Sequence, residues 1–130
     1  VLFERLPFAA ASDPALAVLV PRPVIGGSLD LGGRTSFAYA ALAWTVPVGQ
    51  HFFIEASFGG AVHNGDTSDH GRATRNALGC SPLFRESFAV GYRFDERLSL
   101  LAMVEHLSNA GLCDANRGLT NLGLQLAYSF

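Results

Sequence analysis

The sequence predicts an all-β protein, an antiparallel transmembrane β-barrel, and three observations lead to this fold class. The chain has 130 residues, of which 49% are hydrophobic and 15% are charged, and this composition excludes a disordered chain. Apolar residues alternate with small or polar ones along most of the sequence, as in strands with two different faces. The longest uncharged run, 35–54, contains Pro47 and Gly49, so it predicts two strands rather than a membrane-spanning helix.

Seven segments of the sequence are predicted to be strands. They span 1–6, 22–32, 35–46, 51–62, 84–94, 97–108 and 119–130. Because single-chain bacterial barrels have an even number of strands, we expect eight strands in one domain over 1–130, the N-terminal one being absent from this segment or supplied by a partner. The connections 47–50 and 95–97 are short, as periplasmic turns are, whereas 63–83 is long and polar, as an external loop is. The segment 7–21 is expected to carry a small element of its own.

The two faces of the predicted strands favour a membrane barrel over a soluble sandwich. In 84–94 the bulky face carries Phe84, Phe88, Val90, Tyr92 and Phe94. A sandwich shows the same alternation but exposes a broadly charged face, whereas the second face here is rich in Gly, Ala and Ser, which suits the interior of a narrow barrel. Charges enclosed in such an interior must be paired. The residues expected to form this interior network are Glu55, Arg85, Arg93 and Glu105.

The two cysteines lie just beyond the ends of two strands that are predicted to form a hairpin. If Phe94 pairs with Leu98 across the turn, the same register brings Cys80 and Cys113 nearly opposite each other. A disulfide between two external loops is the natural interpretation, and it implies an oxidising compartment. Two free thiols are the alternative.

A short polar segment interrupts the apolar face of 97–108. His106 and Ser108 are two residues apart and share the face assigned to lipid, where polar groups cost free energy unless they lie at the rim or take part in chemistry. A histidine beside a serine suits a general base that activates a hydroxyl nucleophile. Asn109 and the Gly111 backbone are suited to donate hydrogen bonds to an oxyanion. The alternative is a polar strand end with 109–111 as a turn.

Features near the C-terminus resemble the lipid A 3-O-deacylase family. They are the motif H-x-S-N-A-G at 106–111, the motif N-x-G at 116–118, and the final amphipathic strand 122–130, which ends in Phe like the last strand of bacterial outer-membrane barrels. The resemblance implies an eight-stranded outer-membrane barrel that hydrolyses an ester-linked acyl chain of lipid A, using a His/Ser/Glu triad and no metal. It also implies that His106 is the base, Ser108 the nucleophile, and Asn109 and Gly111 part of the oxyanion region.

The acidic member of the triad is where this sequence departs from the family. The family has Glu two residues after the glycine of N-x-G, and Thr120 stands there. A hydroxyl cannot stabilise an imidazolium as a carboxylate does, so the triad is weakened, the protein is inactive, or another carboxylate substitutes. The hairpin register places Glu86 directly across from His106, where opposed side chains are close enough to interact. It also places Phe84 across from Ser108, where Phe84 is a candidate to line an acyl groove. We therefore expect Glu86 to orient His106, the alternative being a solvated carboxylate at the rim.

Two functions from different classes are consistent with these observations. The first is an outer-membrane serine esterase that acts on lipid A or lipopolysaccharide among outer-membrane lipids. The second is a catalytically silent barrel, a structural or accessory subunit in a homo-oligomer or membrane complex. A soluble ligand-binding barrel, which would need no detergent, is a third. A net charge of −2 provides no basic face for nucleic acid, no cofactor is expected, and His63, Asp66, Asp69 and His70 match no metal motif.

Overall fold

The described part of the chain folds into one antiparallel sheet. The computed structural model describes residues 1–4, 18–68 and 75–128. Six strands follow one another in sequence and in space, and each is hydrogen-bonded to the next. They are β1 (Arg22–Ser28), β2 (Phe37–Val48), β3 (Phe52–His63), β4 (Leu83–Arg93), β5 (Leu98–Ser108) and β6 (Leu119–Tyr128). No helix in the described ranges is long and apolar enough to cross a membrane.

The predicted all-β class is confirmed, and the strand ends differ from prediction mainly in β1. The other five strands begin and end within two residues of the predicted bounds. β1 was expected to continue to 32 but ends at Ser28, because Asp30 stabilises a turn there. Its Oδ1 atom accepts hydrogen bonds from the N–H groups of Gly32 at 2.8 Å and Arg34 at 3.0 Å.

Of the predicted strand 1–6, the described residues 1–4 make an extended contact with the edge strand β1. Leu2 forms an isolated antiparallel bridge with Val24, and the Ile25 N–H donates to the Val1 carbonyl at 3.0 Å. β6 forms the other edge, and within the described ranges no ladder joins it to β1. The sheet is therefore a curled half-barrel of six strands, and eight strands are not confirmed. The element expected in 7–21 falls largely outside the described residues.

The two faces of the sheet point as the alternation predicts. Bulky side chains cover the outer face, where Phe58 is 52% and Leu122 is 85% exposed. The concave face buries small side chains such as Ala43 and Ala61 together with a few large ones. Gly91 is required on that face, because a side chain there would collide with the ring of Phe53.

The concave face is organised in layers. Toward the long loops lies an apolar cluster formed by Phe37, Ala61, Leu78, Leu83 and Leu107. Toward the short turns lies a second cluster formed by Phe53, Ala89 and Leu101. A polar layer separates the two clusters and contains the buried Arg85, which is 1% exposed.

The Arg85 guanidinium is fully partnered by its neighbours. Its Nη2 atom is 2.7 Å from Glu105 Oε2, and its Nη1 atom donates to Ser57 Oγ at 2.9 Å. Asn121 donates to the other Glu105 oxygen at 3.1 Å, and the guanidinium carbon lies 3.7 Å from the Tyr39 ring centroid. Of the four charges predicted to form an interior network, Arg85 and Glu105 are therefore paired.

The other two charges expected in the interior network have different partners. Glu55 accepts a hydrogen bond from the Thr45 hydroxyl at 3.0 Å. Arg93 lies over the Phe53 ring, with its guanidinium carbon 4.7 Å from the centroid. A neutral hydroxyl and an aromatic face thus take the place of the expected charge partners.

The turn between β4 and β5 fixes the register of the hairpin that carries the predicted site. The Phe94 N–H donates to the Leu98 carbonyl at 2.9 Å, which is the predicted pairing. Asp95 Oδ1 accepts from the N–H groups of Arg97 at 2.7 Å and Leu98 at 2.8 Å. The hydrogen bond from the Arg97 N–H, and to a lesser extent that from Leu98, lowers the pKa of the Asp95 carboxyl below its usual value. The turn is therefore stabilised when Asp95 is ionised.

Replacement of Arg85 by Leu is expected to destabilise the protein by about 3–5 kcal/mol, because it leaves Glu105 charged, enclosed and without its cation. The double variant Arg85→Leu/Glu105→Leu should recover most of this loss. Urea unfolding of protein refolded in detergent micelles measures both values. Arg97→Ala, in the exposed turn, is the control and should change stability by at most about 0.5 kcal/mol. An equal loss in the single and double variants would contradict the ion-pair argument.

Candidate active site

On the outer face of the sheet, paired residues of β4, β5 and β6 form rows that run across the strands. The predicted site residues lie in two adjacent rows of this kind. In the first row Glu86 of β4 lies opposite His106 of β5, which lies opposite Thr120 of β6. In the second row Phe84 lies opposite Ser108. The register predicted for the β4–β5 hairpin is therefore confirmed, and β6 adds Thr120 on the other side of His106.

The imidazole of His106 is oriented by Thr120. His106 Nδ1 and Thr120 Oγ1 are 2.8 Å apart, and the ring is half-buried. Glu86 is exposed, and no hydrogen bond joins it to His106 in the described ranges. Thr120, which stands at the sequence position where the resemblance implies the acid, is therefore the residue that contacts His106 Nδ1. That Glu86 orients His106 stays a prediction.

A hydroxyl at Nδ1 constrains the histidine less than a carboxylate does. A carboxylate only accepts, so it keeps the proton on Nδ1 and leaves the Nε2 lone pair available as a base. The Thr120 hydroxyl can accept from Nδ1–H or donate to an unprotonated Nδ1. In the second case the proton is on Nε2, and the ring cannot take a proton from Ser108. Only one of the two tautomers is therefore competent as a base.

Gly118 makes room for the other edge of the His106 ring. Its φ is +66°, and a Cβ atom built there would lie 2.9 Å from His106 Cε1 and 3.4 Å from Nε2. Such a contact is too short for a side chain, so a glycine is needed in the place where the loop before β6 meets the ring. The N-x-G motif thus contributes to the site through its glycine backbone.

Ser108 ends β5 and is followed directly by a tight turn. Ala110 and Gly111 have φ values of +54° and +79°, and the Leu112 N–H donates to the Asn109 carbonyl at 3.0 Å. Positive φ at both central residues is the pattern of a type I′ turn. The turn expected at 109–111 is therefore present. It follows directly after the His106/Ser108 pair, so a turn here and a site at His106 and Ser108 are compatible.

The Asn109 side chain is buried, and both polar atoms of its carboxamide are hydrogen-bonded within the protein. Nδ2 donates to the carbonyls of Leu78 at 2.9 Å and Ala115 at 2.6 Å, and Oδ1 accepts from the Gly111 N–H at 2.9 Å. The Asn109 backbone N–H donates to Asn116 Oδ1 at 3.1 Å. The oxyanion role of Asn109 and Gly111 stays a prediction, and it requires these N–H groups to exchange their present acceptors for the substrate.

The predicted disulfide between Cys80 and Cys113 is confirmed. It joins the long β3–β4 loop to the β5–β6 loop just beyond Ser108. His63, considered for a cation site, is engaged in the same region, since Nε2 contacts the Cys80 carbonyl at 3.1 Å and Nδ1 accepts from the Gly65 N–H at 3.0 Å. The described ranges contain no group of three metal-ligating side chains, while 69–70 lie outside them.

The outer surface around the site is apolar and grooved. Phe84, beside Ser108, stacks on Phe58 with ring centroids 6.0 Å apart. Below His106 and Thr120 runs an open groove of about 330 Å³. Its outward-facing walls are Phe88, Val90, Ala102, Val104 and Leu122, and Gly123 and Met103 form part of its floor. These surfaces are suited to contact acyl chains.

The fold and the site define a barrel-like β-protein with a histidine and a serine on its exposed apolar face. The model of the family described as lipid A 3-O-deacylase (PagL) matches residues 25–129, and the chain belongs to this family. The family comprises outer-membrane hydrolases that act on lipid A. Neither a search of curated proteins nor one of solved structures gave a match.

Replacement of Gly118 by Ala is expected to displace the His106 ring and, for a deacylase that uses His106 as its base, to lower deacylation of lipid A about 100-fold, because small displacements of a catalytic group are costly. Mass spectrometry of the lipid A product measures the rate. Gly33→Ala is a matched control, since Gly33 has φ +79° and nothing within 4 Å of an added Cβ. An equal loss of activity in both variants would point to backbone strain alone and would contradict the contact with His106.

Proposed function

We propose that this chain is an outer-membrane serine esterase that removes an ester-linked acyl chain from lipid A. One observation carries the proposal: His106, with Nδ1 2.8 Å from Thr120 Oγ1, shares the outward apolar face of β5 with Ser108. Both residues lie within the span that the family model matches. A base next to a hydroxyl on an otherwise apolar surface suits attack on an ester that lies among acyl chains.

The reaction proceeds in two steps. His106 removes the proton from Ser108 Oγ, which attacks the ester carbonyl, and the tetrahedral intermediate collapses as His106 returns that proton to the departing sugar oxygen. The acyl chain is then bound to Ser108. A water molecule, deprotonated by His106, attacks this ester, and as the bond between the acyl carbon and Ser108 Oγ breaks, His106 returns the proton to Oγ and a free fatty acid leaves. Donors at 109–111 stabilise the oxyanion in both steps.

The charge that supports the His106 imidazolium is assigned to Glu86, while Thr120 supplies orientation. Glu86 is directly opposite His106, at a spacing where facing side chains interact. Its carboxylate is the only charge on the outward face of β4. In this arrangement β4 supplies the negative charge of the usual triad acid through Glu86, and β6 supplies its orienting contact through Thr120.

The surroundings of the site support a lipid substrate and an outer-membrane location. The exposed apolar face is continuous with the groove below His106, which would receive an acyl chain of lipid A or lipopolysaccharide. The Cys80–Cys113 disulfide requires an oxidising compartment, which the cell exterior provides. The surrounding outer-membrane lipids would cover the rest of this face.

A catalytically silent barrel with a structural or accessory function is the second candidate. The observation that favours it is Thr120 in the place of the acid, because a hydroxyl permits the tautomer in which Nε2 is protonated. The experiments below separate the two candidates.

Incubation with lipid A is expected to release one hydroxyacyl chain, and Ser108→Ala should lower the rate by at least about 1,000-fold. The mass of the lipid A product measures the reaction. Ser99→Ala is the matched control, since Ser99 lies on the same strand but on the other face. Lipid A that keeps its full mass with the unaltered protein would favour the silent barrel, and a fully active Ser108→Ala variant would exclude Ser108 as nucleophile.

Thr120→Glu is expected to raise the rate of deacylation at least about tenfold, since a carboxylate fixes the tautomer that acts as a base. Glu86→Gln should lower the rate of the unaltered protein about tenfold but have little effect in the Thr120→Glu background, where the second carboxylate is redundant. Glu96→Gln, an exposed carboxylate at the other end of the sheet, is the control. A Glu86→Gln variant with unchanged activity would remove Glu86 from the mechanism.

A further inference from the structure

We infer that loop residues 75–80, joined by the Cys80–Cys113 disulfide to loop residues 109–118, are a positioning element for Ser108 and His106. These two segments and their disulfide are called the loop clamp below. The inference rests on the proposed function, because it concerns how that site is held. It assigns to the disulfide a role in turnover that a general stabilising cross-link would not have.

The first connection of the loop clamp is directly behind the nucleophile. Asn109, the residue after Ser108, is 1% exposed. Its Nδ2 atom donates to the Leu78 carbonyl at 2.9 Å on one loop and to the Ala115 carbonyl at 2.6 Å on the other. A single carboxamide therefore ties both loops to the end of β5, and a shift of either loop acts on Ser108 through one residue.

Close packing at Gly79 shows how tightly the two loops meet. A Cβ atom built at Gly79 would lie 2.6 Å from Asn109 Nδ2 and would collide with the Ala115 carbonyl oxygen. Gly79 also has a φ of +77°. The two backbones approach at a distance that no other residue type permits, and Cys80 follows immediately, so the disulfide closes the loops at this contact.

The second connection of the loop clamp is behind the base. The Arg117 N–H donates to the Ala77 carbonyl at 3.1 Å, and Asn76 Nδ2 donates to the Gly118 carbonyl at 3.3 Å. Gly118 is the residue whose backbone lies against the His106 ring. Loop residues 75–80 thus hold the two parts of the site independently, through Asn109 and through Gly118.

The 75–80 segment is itself fixed to the sheet. Leu78 is fully buried in the apolar cluster with Leu107, the residue between His106 and Ser108 in sequence. The N–H groups of Leu78 and Gly79 donate to the Asp66 carbonyl at 2.9 and 3.2 Å. The other two contacts, Arg117 to Ala77 and Asn76 to Gly118, are single hydrogen bonds of modest net stability, and the disulfide is the one covalent constraint between the described parts of the two loops.

Reduction of the disulfide in the folded protein tests the inference. A dithiol reductant converts the Cys80–Cys113 bond into two thiols and is itself oxidised to a disulfide, so the exchange is balanced. We expect kcat for lipid A to fall about tenfold or more, because the site is held less well, while KM changes by less than about twofold. Reoxidation should restore kcat. The double variant Cys80→Ser/Cys113→Ser should match the reduced protein and no longer respond to dithiol.

A spectroscopic measurement keeps the test independent of turnover. The ring resonances of His106 should move on reduction, since Gly118 and Thr120 determine its surroundings, while those of His51 at the opposite end of the sheet should not. If the oxidised protein does not deacylate lipid A, the proposed function fails, and the His106 resonances still decide the positioning role. Unchanged kcat and unchanged His106 resonances would overturn it. So would an effect on KM alone, or a loss of kcat in parallel with the strand signal in circular dichroism.

Discussion

The antiparallel register of β4, β5 and β6 is the constraint on which the candidate site depends. It determines that Glu86, His106 and Thr120 form one outward row and that Ser108 lies in the next. A slip of one residue would turn every one of these side chains to the concave face and Arg85 to the outer face. The register is held at the turn by Asp95, whose carboxylate accepts two backbone N–H groups. The chemistry of the outer surface is thus fixed by hydrogen bonds at the far end of the hairpin.

Thr120 holds the His106 ring through a hydrogen bond but brings no negative charge to it. The hydroxyl keeps the His106 ring in place at 2.8 Å, and Gly118 bounds its other edge. Orientation and charge are separable contributions of the third triad member, and here only orientation is retained at that position. The nearest outward carboxylate, Glu86, is on the opposite neighbour of β5. In the proposed mechanism the charge that stabilises the imidazolium comes from Glu86, one strand away.

The site is supported from two sides by different kinds of interaction. Beneath it, the concave face holds the Arg85–Glu105 pair between two apolar clusters, which keeps β4 and β5 together through their inward residues. Above it, the disulfide and the buried carboxamide of Asn109 join the two long loops. The ion pair lies on the opposite face of the sheet from the outward row, whereas in the loops Gly118 lies directly against the His106 ring. Glu105 and Asn109 are the sequence neighbours of His106 and Ser108, so each support is connected to the site through the backbone.

The sequence by itself determined the all-β class, the two faces and, with Phe94 paired to Leu98 across a short turn, the β4–β5 register, because only a pairing of that parity keeps the bulky faces together. The Cys80–Cys113 disulfide and the position of Glu86 opposite His106 follow from that register. Only the tertiary structure decided that the His106 ring bonds to Thr120. The register of β6 depends on the path of the loop 109–118, and side-chain periodicity does not specify a loop. The path is set by the contacts of the buried Asn109 carboxamide with residues distant in sequence, which become neighbours only in the folded sheet.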